Sequence, residues 1–261
     1  SNAGNLLWFA KQVNNNNTDI NAILTADIVV NKNVLNADGT LNSDSDLTEW
    51  TPIGNGSNHY TGTFDGNNHT ISGLYFNDEN TNRVGLFGYN SGTIKNVGII
   101  DSYFKGKNYI GGVCGSNVYG KIENSYNTGS VSGSGSVGGV CGRNQSGTIE
   151  NSYNTGSVSG SYYIGGVYGI NKGEIRNSYN TGSVSGLENV GGVCGYNEGT
   201  IENIYNTGTV NGLSYYIGGV CGRNLSGTIK NSYNTGSVSG SNNFVGGVCG
   251  YNNGTIENSY Y

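Results

Sequence analysis

The run Asn124-Ser-Tyr-Asn-Thr-Gly-Ser-Val-Ser-Gly-Ser-Gly-Ser-Val-Gly-Gly-Val-Cys-Gly-Arg-Asn-Gln-Ser-Gly-Thr-Ile-Glu150 is followed at once by a second copy, opening Asn151-Ser-Tyr-Asn-Thr-Gly156. This 27-residue unit decides the fold. Its first ten residues stand unchanged at 124–133, 151–160, 177–186 and 231–240, with the variant Asn-Ile-Tyr-Asn-Thr-Gly-Thr-Val-Asn-Gly at 203–212. The second glycine of Gly-Gly-Val-Cys-Gly falls at 112, 139, 166, 192, 219 and 247, with Tyr168 replacing cysteine in one copy. Gly85 in Val84-Gly-Leu-Phe-Gly88 is the matching residue before them, so the steps are 27, 27, 27, 26, 27 and 28. Each unit holds three short apolar segments, Ile/Val-Gly-Gly-Val-Cys, Thr-Ile-Glu-Asn-Ser-Tyr and Ser-Val-Ser, separated by Gly, Asn or Ser turns. None has a helical period, and segments of this length suit the faces of a coil, three faces closing one rung. A unit this small cannot bury its apolar side chains alone, whereas stacked rungs build continuous internal ladders. The pattern predicts an all-β fold: a parallel, right-handed β-helix of about seven 27-residue rungs over residues 84–261. At about 4.8 Å per rung it would extend roughly 34 Å.

Composition agrees. Glycine supplies 47 of 261 residues, proline only one, and charged residues only 11 %. Collagen is excluded, because no Gly-X-Y period runs through the chain. Ala22–Val30, the most apolar stretch, is too short to span a membrane and is interrupted by Thr25 and Asp27. Charge-driven disorder is excluded by a net charge of −5 over this length. Gly and Asn in such numbers disfavour helices. A pI near 4.9, with 12 scattered Lys and Arg, offers no phosphate-binding stripe and argues against nucleic acid.

Three inward ladders follow from the repeat. They are Ile94, Ile122, Ile149, Ile175, Ile201, Ile229 and Ile256; Val113, Val140, Val167, Val193, Val220 and Val248, with Leu86 in the first rung; and Val131, Val158, Val184, Val210 and Val238. Two residues past each Ile stands Asn96, Asn124, Asn151, Asn177, Asn203, Asn231 or Asn258, which strand alternation points inward as a stacked amide ladder. The asparagines after the Cys-Gly pair (Asn90, Asn117, Asn144, Asn171, Asn197, Asn224, Asn252) suit left-handed turn positions.

Residues 4–83 differ in kind. Leu6, Leu7, Ala10 and Val13 predict a capping helix over Gly4–Asn14 that covers the end of the solenoid. Ala22–Val30 reads as a strand, Asp38–Asp46 as a polar loop and Thr61–Ile71 as strand–turn–strand in an irregular first turn. Ser1-Asn2-Ala3 reads as the remnant of a cleaved tag, outside the fold. At the other end the chain stops mid-rung at Tyr260-Tyr261, which is expected of a monomeric part of a longer protein.

Trp50-Thr-Pro-Ile-Gly54, Tyr60-Thr-Gly-Thr-Phe-Asp-Gly66, Val84-Gly-Leu-Phe-Gly88 and the Gly-Gly-Val-Cys-Gly copies resemble the GLUG-repeat family, over about residues 50–261. The resemblance implies a secreted or cell-surface bacterial protein, such as a large adhesin-like protein or the non-catalytic part of an IgA-cleaving metallopeptidase. It transfers no catalytic residue. Cysteine after the core valine departs from the family pattern.

The search for chemistry is brief. Cys114, Cys141, Cys194, Cys221 and Cys249 share one repeat position, with no C-x-x-C pair and scarce histidine, so metal is not expected. In-register parallel side chains make poor disulfides, and small apolar slots are the plainer reading. The two histidines, His59 and His69, lie in no H-E-x-x-H motif. The charge after each repeat Ile (Lys95, Glu123, Glu150, Arg176, Glu202, Lys230, Glu257) flips sign between rungs, as a solvated outer position does. Asp65, His69 and Asp101 are the leftover catalytic candidates, weighed against turn and surface roles. Asn42-Ser-Asp44-Ser-Asp46 lacks the glycine and distal glutamate of a calcium loop. Serines flanking each core Val make a regular hydroxyl array, but they lack the threonine methyls an ice-binding face uses.

The repeats differ chiefly just before the Ile/Val-Gly-Gly segment, at Lys107-Asn-Tyr109, Ser134-Gly-Ser136, Ser161-Tyr-Tyr163, Leu187-Glu-Asn189, Leu213-Ser-Tyr-Tyr216 and Ser241-Asn-Asn-Phe244. Such loops stack along one edge of a solenoid, often its binding edge. Tyr109, Tyr162, Tyr163, Tyr215, Tyr216 and Phe244 are the candidate ligand-binding residues, since tyrosine joins a rigid ring to a hydroxyl. A second variable position follows Cys-Gly: Ser116, Arg143, Ile170, Tyr196, Arg223 and Tyr251. The function expected is non-catalytic binding of host glycan or glycoprotein by a surface adhesin, without cofactor. The alternatives are a spacer or accessory domain of a secreted enzyme such as a peptidase and, further off, a polysaccharide-cleaving β-helix.

Overall fold

The computed structural model describes residues 1–43, 46–241 and 244–261. The chain is a parallel β-solenoid whose stacked strands form four sheets. The Ile sheet runs from Ala22–Ile23 and Thr63–Asp65 through Thr93–Lys95 to Thr255–Glu257. The Tyr sheet runs from Ile28–Val29 to Tyr233–Asn234, the Val sheet from Tyr75–Asn77 to Val238–Gly240, and the Cys sheet from Phe87–Asn90 to Cys249–Asn252. Repeat positions pair in register, for example Ile122 with Ile149, Val131 with Val158 and Cys114 with Cys141.

Four strands per turn, not three faces, close each rung, and the cause is local. The segment Thr-Ile-Glu-Asn-Ser-Tyr is broken by its asparagine, which adopts φ of 46–55° in all seven copies. That left-handed residue turns the chain from the Ile sheet to the Tyr sheet and resets strand alternation. Asn124, Asn151, Asn177, Asn203 and Asn231 are therefore exposed, which corrects the inward placement expected of them. Ser125, Ser152, Ser178 and Ser232 point inward in their place and accept from the backbone of the preceding rung, as Ser152 Oγ does from Ser125 N at 3.3 Å.

The asparagines after Cys-Gly are corrected in the opposite sense. Asn90, Asn117, Asn144, Asn171, Asn197 and Asn224 are wholly buried, each donating from Nδ2 to Oδ1 of the next at 2.7–3.0 Å, the last to Asn252. A second interior ladder, which sequence reading missed, joins Asn127, Asn154, Asn180, Asn206 and Asn234 at 2.8–2.9 Å. Each amide also donates to the carbonyl of a nearby glycine, as Asn127 does to Gly129 at 3.0 Å, so burying it leaves no donor unmet.

The three predicted hydrophobic ladders are inward, and only their last members, Val238, Val248 and Ile256, are partly exposed. The cysteines are free and face inward, with burial pushing the Cys114 and Cys221 thiols up. Tyr168, in the same column, is also fully buried.

The predicted helix α1 spans Ala3–Asn14. It buries Leu6, Phe9, Ala10 and Val13, and Phe9 packs on Tyr60 and Phe64 at 5.8 Å. Leu7 is largely exposed, a correction that follows from its lying one residue off the buried stripe. Ser1 and Asn2 belong to the fold: Asn2 Oδ1 caps the helix by accepting from Asn5 N at 2.8 Å, and the terminal amine of Ser1 donates to Thr25 Oγ1. Trp50 is buried and donates from Nε1 to the Gly85 carbonyl, while Ile53 and Tyr60 pair in parallel with Phe87 and Asn90, so 50–60 forms the irregular first turn of the Cys sheet. Among the described residues, no helix is long and apolar enough to cross a membrane.

Candidate functional site

The variable segments are less loop-like than the sequence implies. In four consecutive turns they are the middle of long strands, Tyr103–Gly111, Ser130–Gly138, Val158–Gly165 and Val184–Gly191. Each strand is kinked where the residue before Ile/Val takes a left-handed conformation: Tyr109, Ser136, Tyr163 and Asn189 have φ of 54–62°. Arg83 and Tyr216 occupy the same column, at φ of 63° each.

This kink brings the two variable positions together. The glycine of Cys-Gly presses on the backbone of the left-handed residue one rung earlier. A Cβ on Gly142 would lie 2.4 Å from Ile110 N and 2.5 Å from the Tyr109 carbonyl carbon, and one on Gly195 2.5 Å from the Tyr163 carbonyl carbon. Only glycine permits that approach. The residue after it, in the column Tyr89, Ser116, Arg143, Ile170, Tyr196, Arg223, Tyr251, then stands beside the kinked column.

Two nests of tyrosine and arginine result. In the first, Arg83 lies over Tyr89 and Tyr109 at 5.5 and 5.8 Å, and Arg143 over Tyr109 at 5.4 Å. His59 stacks on Tyr89 at 3.6 Å. In the second, Arg223 lies 5.4–5.8 Å from the rings of Tyr196, Tyr216 and Tyr251. Tyr163 meets Tyr196 edge-on at 5.4 Å, and Phe244 packs 5.2 Å from Tyr216. Tyr196 donates to Glu198 at 2.6 Å, and its hydroxyl is pushed up to about 12 by burial and by that carboxylate. Lys172 and Tyr196 together hold the Glu198 carboxyl below its usual value.

The six candidate residues therefore divide. Tyr109, Tyr163 and Tyr216 are half-buried members of the nests, while Tyr162, Tyr215 and Phe244 are 45 %, 46 % and 43 % exposed. Asn242 and Asn243 of the last variable segment, and Asp44 and Ser45 of the calcium-like stretch, lie outside the described residues. The leftover acid–base candidates are engaged structurally. Asp65 pairs with Lys95 at 3.2 Å and accepts from Asn96, Asp101 accepts from Val34 N and Leu35 N, and His69 meets Asp27 at 3.3 Å. Among the described residues, no group of three or more His, Cys, Asp or Glu could hold a metal.

A further surface went unread in the sequence. Tyr126, Tyr153, Tyr179, Tyr205, Tyr233 and Tyr260 stack ring on ring along the Tyr sheet, with centroids 4.7–5.5 Å apart and planes within 9°. The ladder starts over Gly98, where a Cβ would fall 2.2 Å from Tyr126 Cζ. The constant tyrosine of Asn-Ser-Tyr-Asn was the available signal, once in-register stacking is granted.

The comparisons agree with this geometry. The family model of "The GLUG motif" matches residues 106–132, 133–159, 186–211 and 214–239. "Halomucin" of Haloquadratum walsbyi is 36 % identical over 101 residues, covering 35 % of this chain and 1 % of that protein. A "Putative Gly-rich membrane protein" of Evansella cellulosilytica is 33 % identical over 79 residues, covering 29 % of this chain and 9 % of its own length. The chain thus spans only a small part of these relatives. A crystal structure from Bacteroides ovatus, described as a "putative immunoglobulin A1 protease", superposes with a TM-score of 0.69, covering 100 % of this chain and 82 % of that one. At 21 % identity that likeness concerns the fold. The chain is a carrier of GLUG-motif repeats, four of them matched, wound as a parallel β-solenoid.

Proposed function

We propose that this chain is a non-catalytic binding segment of a secreted or cell-surface protein, holding glycan or glycoprotein along the edge where the two variable columns meet. The observation that carries this reading is the convergence itself. Positions that vary between otherwise near-identical rungs are brought side by side by a constant glycine, and most of them hold Tyr, Phe or Arg, the exceptions being Ser116, Ser136, Ile170 and Asn189. Such side chains lose little conformational entropy on binding and combine stacking surface with hydrogen bonding. The engagement of Asp65, His69 and Asp101 in turns and ion pairs supports a non-enzymatic role.

The test is a glycan and glycoprotein array probed with the wild-type chain and a Tyr162, Tyr163, Tyr215, Tyr216→Ser variant. Serine suits the kinked column, since Ser136 already occupies it. Saturable binding lost in the variant is expected. A folded wild-type chain that binds nothing would overturn the reading. That outcome would favour a spacer or accessory role in a larger enzyme, which the likeness to the Bacteroides ovatus chain supports.

A further inference from the structure

The Tyr–Arg edge gathers three guanidinium groups that no carboxylate neutralises among the described residues. Lys95, Lys105, Lys121, Lys172, Arg176 and Lys230 sit against carboxylates, while Lys11, Lys32 and Lys107 form no ion pair among the described residues. Arg83, Arg143 and Arg223 form no ion pair among the described residues, in a chain whose net charge is −5. All three lie on the one edge that varies between rungs. Their guanidinium groups are stacked against tyrosine rings at 5.4–5.8 Å, which holds the fork in place before any ligand arrives. The Nε atoms of Arg83 and Arg223 are buried without an acceptor among the described residues, as is that of Arg176, whose charge is matched by Glu174. A bound anion would offset the cost of partly burying those unpaired charges. The acidic groups nearby are Glu198, engaged by Lys172 and Tyr196, and Glu188, in register with Tyr162 on the neighbouring strand.

We infer that the edge takes an acidic glycan, with sugar carboxylates on Arg83, Arg143 and Arg223 and the intervening pyranose faces on the tyrosines. The inference rests on the glycan-binding reading above and deepens it. Arg83 and Arg143 stand two rungs apart and Arg143 and Arg223 three, so roughly 10 and 14 Å separate them along the axis. Ile170 and the small Ser136 fall between the nests, while the buried Ser116 lies within the first, in register between Tyr89 and Arg143. An extended chain of sugars can bridge such spacing, whereas one compact anion meets a single arginine. Tyrosine rings between the charges favour a ligand with apolar C–H faces over one that is acidic throughout.

The experiment measures binding of the full chain to two matched pairs of probes, sialyllactose against lactose and polygalacturonate against its methyl ester. Oligoglutamate and duplex DNA serve as sugar-free polyanions. Each probe is titrated at low and high salt, with Arg143→Gln, Arg223→Gln and, as a control on the Ile sheet, Arg176→Gln. The expected result is preference for the acidic member of each pair, weakened by salt. Each edge variant should lose about tenfold or more in affinity, as expected for a lost charge-assisted hydrogen bond, and Arg176→Gln should lose nothing. Equal binding of neutral and acidic probes, unchanged by the edge variants, would overturn the acidic class and leave the glycan reading standing. Equally tight binding of oligoglutamate or DNA would overturn the sugar requirement. Binding of no probe by the folded chain would overturn both readings.

Discussion

At the scale of single residues, the two asparagine columns of each rung have opposite tasks, and substitution should separate them. Asn171 is wholly buried and takes part in the ladder on both sides, accepting from Asn144 at 3.0 Å and donating to Asn197 at 2.9 Å. Asn171→Ala takes one bond from Asn144 Nδ2 and one from Asn197 Oδ1 and strips Gly173 N and O of their side-chain partner, a loss of about 1–3 kcal/mol or more. Asn177 lies outside at φ of 50°, where glycine is at least as well suited. Asn177→Gly should leave the denaturant midpoint nearly unchanged, while Asn171→Ala lowers it clearly at constant m-value. Equal effects would show that the inner ladder carries no special stability. Sequence alternation assigned these columns the wrong way round, because a left-handed residue between two strands resets which side chains face inward. Counting residues from the core Ile cannot detect that reset. The Ile and Val columns, each read within a single short strand, were legible without it.

At the scale of elements, the capping helix and the kinked strands differ in how much of their design the sequence displays. The helix follows from its 3.6-residue period, although the true stripe is Leu6, Phe9, Ala10 and Val13. Phe9→Ala removes a ring packed on Tyr60 and Phe64 and should cost about 3–5 kcal/mol, whereas Leu7→Ala should cost little. Thermal melts of the two variants check this, and similar losses would place the stripe elsewhere. The meeting of the variable columns was not legible. It depends on the close approach of Gly142 to Tyr109, and a glycine in a sequence does not say which backbone it touches. Along that edge, Glu198 has a carboxyl held below its ordinary value of 4.5 by Lys172 and Tyr196. A group lowered on folding contributes stability that is fully present above its unfolded value and is lost as pH falls through the folded one. Wild type should therefore melt higher than Glu198→Gln near neutrality, with the difference shrinking as the pH falls below 4.5. A gap independent of pH would remove the charge from the account.

At the scale of the whole molecule, the stacked turns make stability a matter of neighbours. Each rung is held by the one before and the one after, so equivalent residues differ in worth according to where they sit. Ile175 and Ile256 occupy the same column, but Ile175 is fully buried between Ile149 and Ile201, and Ile256 contacts a neighbouring strand only through Ile229. The first turns are sealed by α1 and the rings of Phe64 and Phe87, whereas in the last turn Val248, Cys249 and Ile256 are partly exposed. Unfolding should then begin at the last turn and run towards the helix. Amide hydrogen exchange should be fastest over residues 245–257 and fall in steps back towards the centre, with the Asn144–Asn171 turns among the slowest. Ile175→Ala should cost about 2–5 kcal/mol and raise exchange across the neighbouring turns. Ile256→Ala should cost far less and change exchange only locally. Uniform protection from first turn to last, with equal losses for the two substitutions, would mean the solenoid melts as one cooperative block. In that case the variable edge could not loosen at one nest while the other stayed formed.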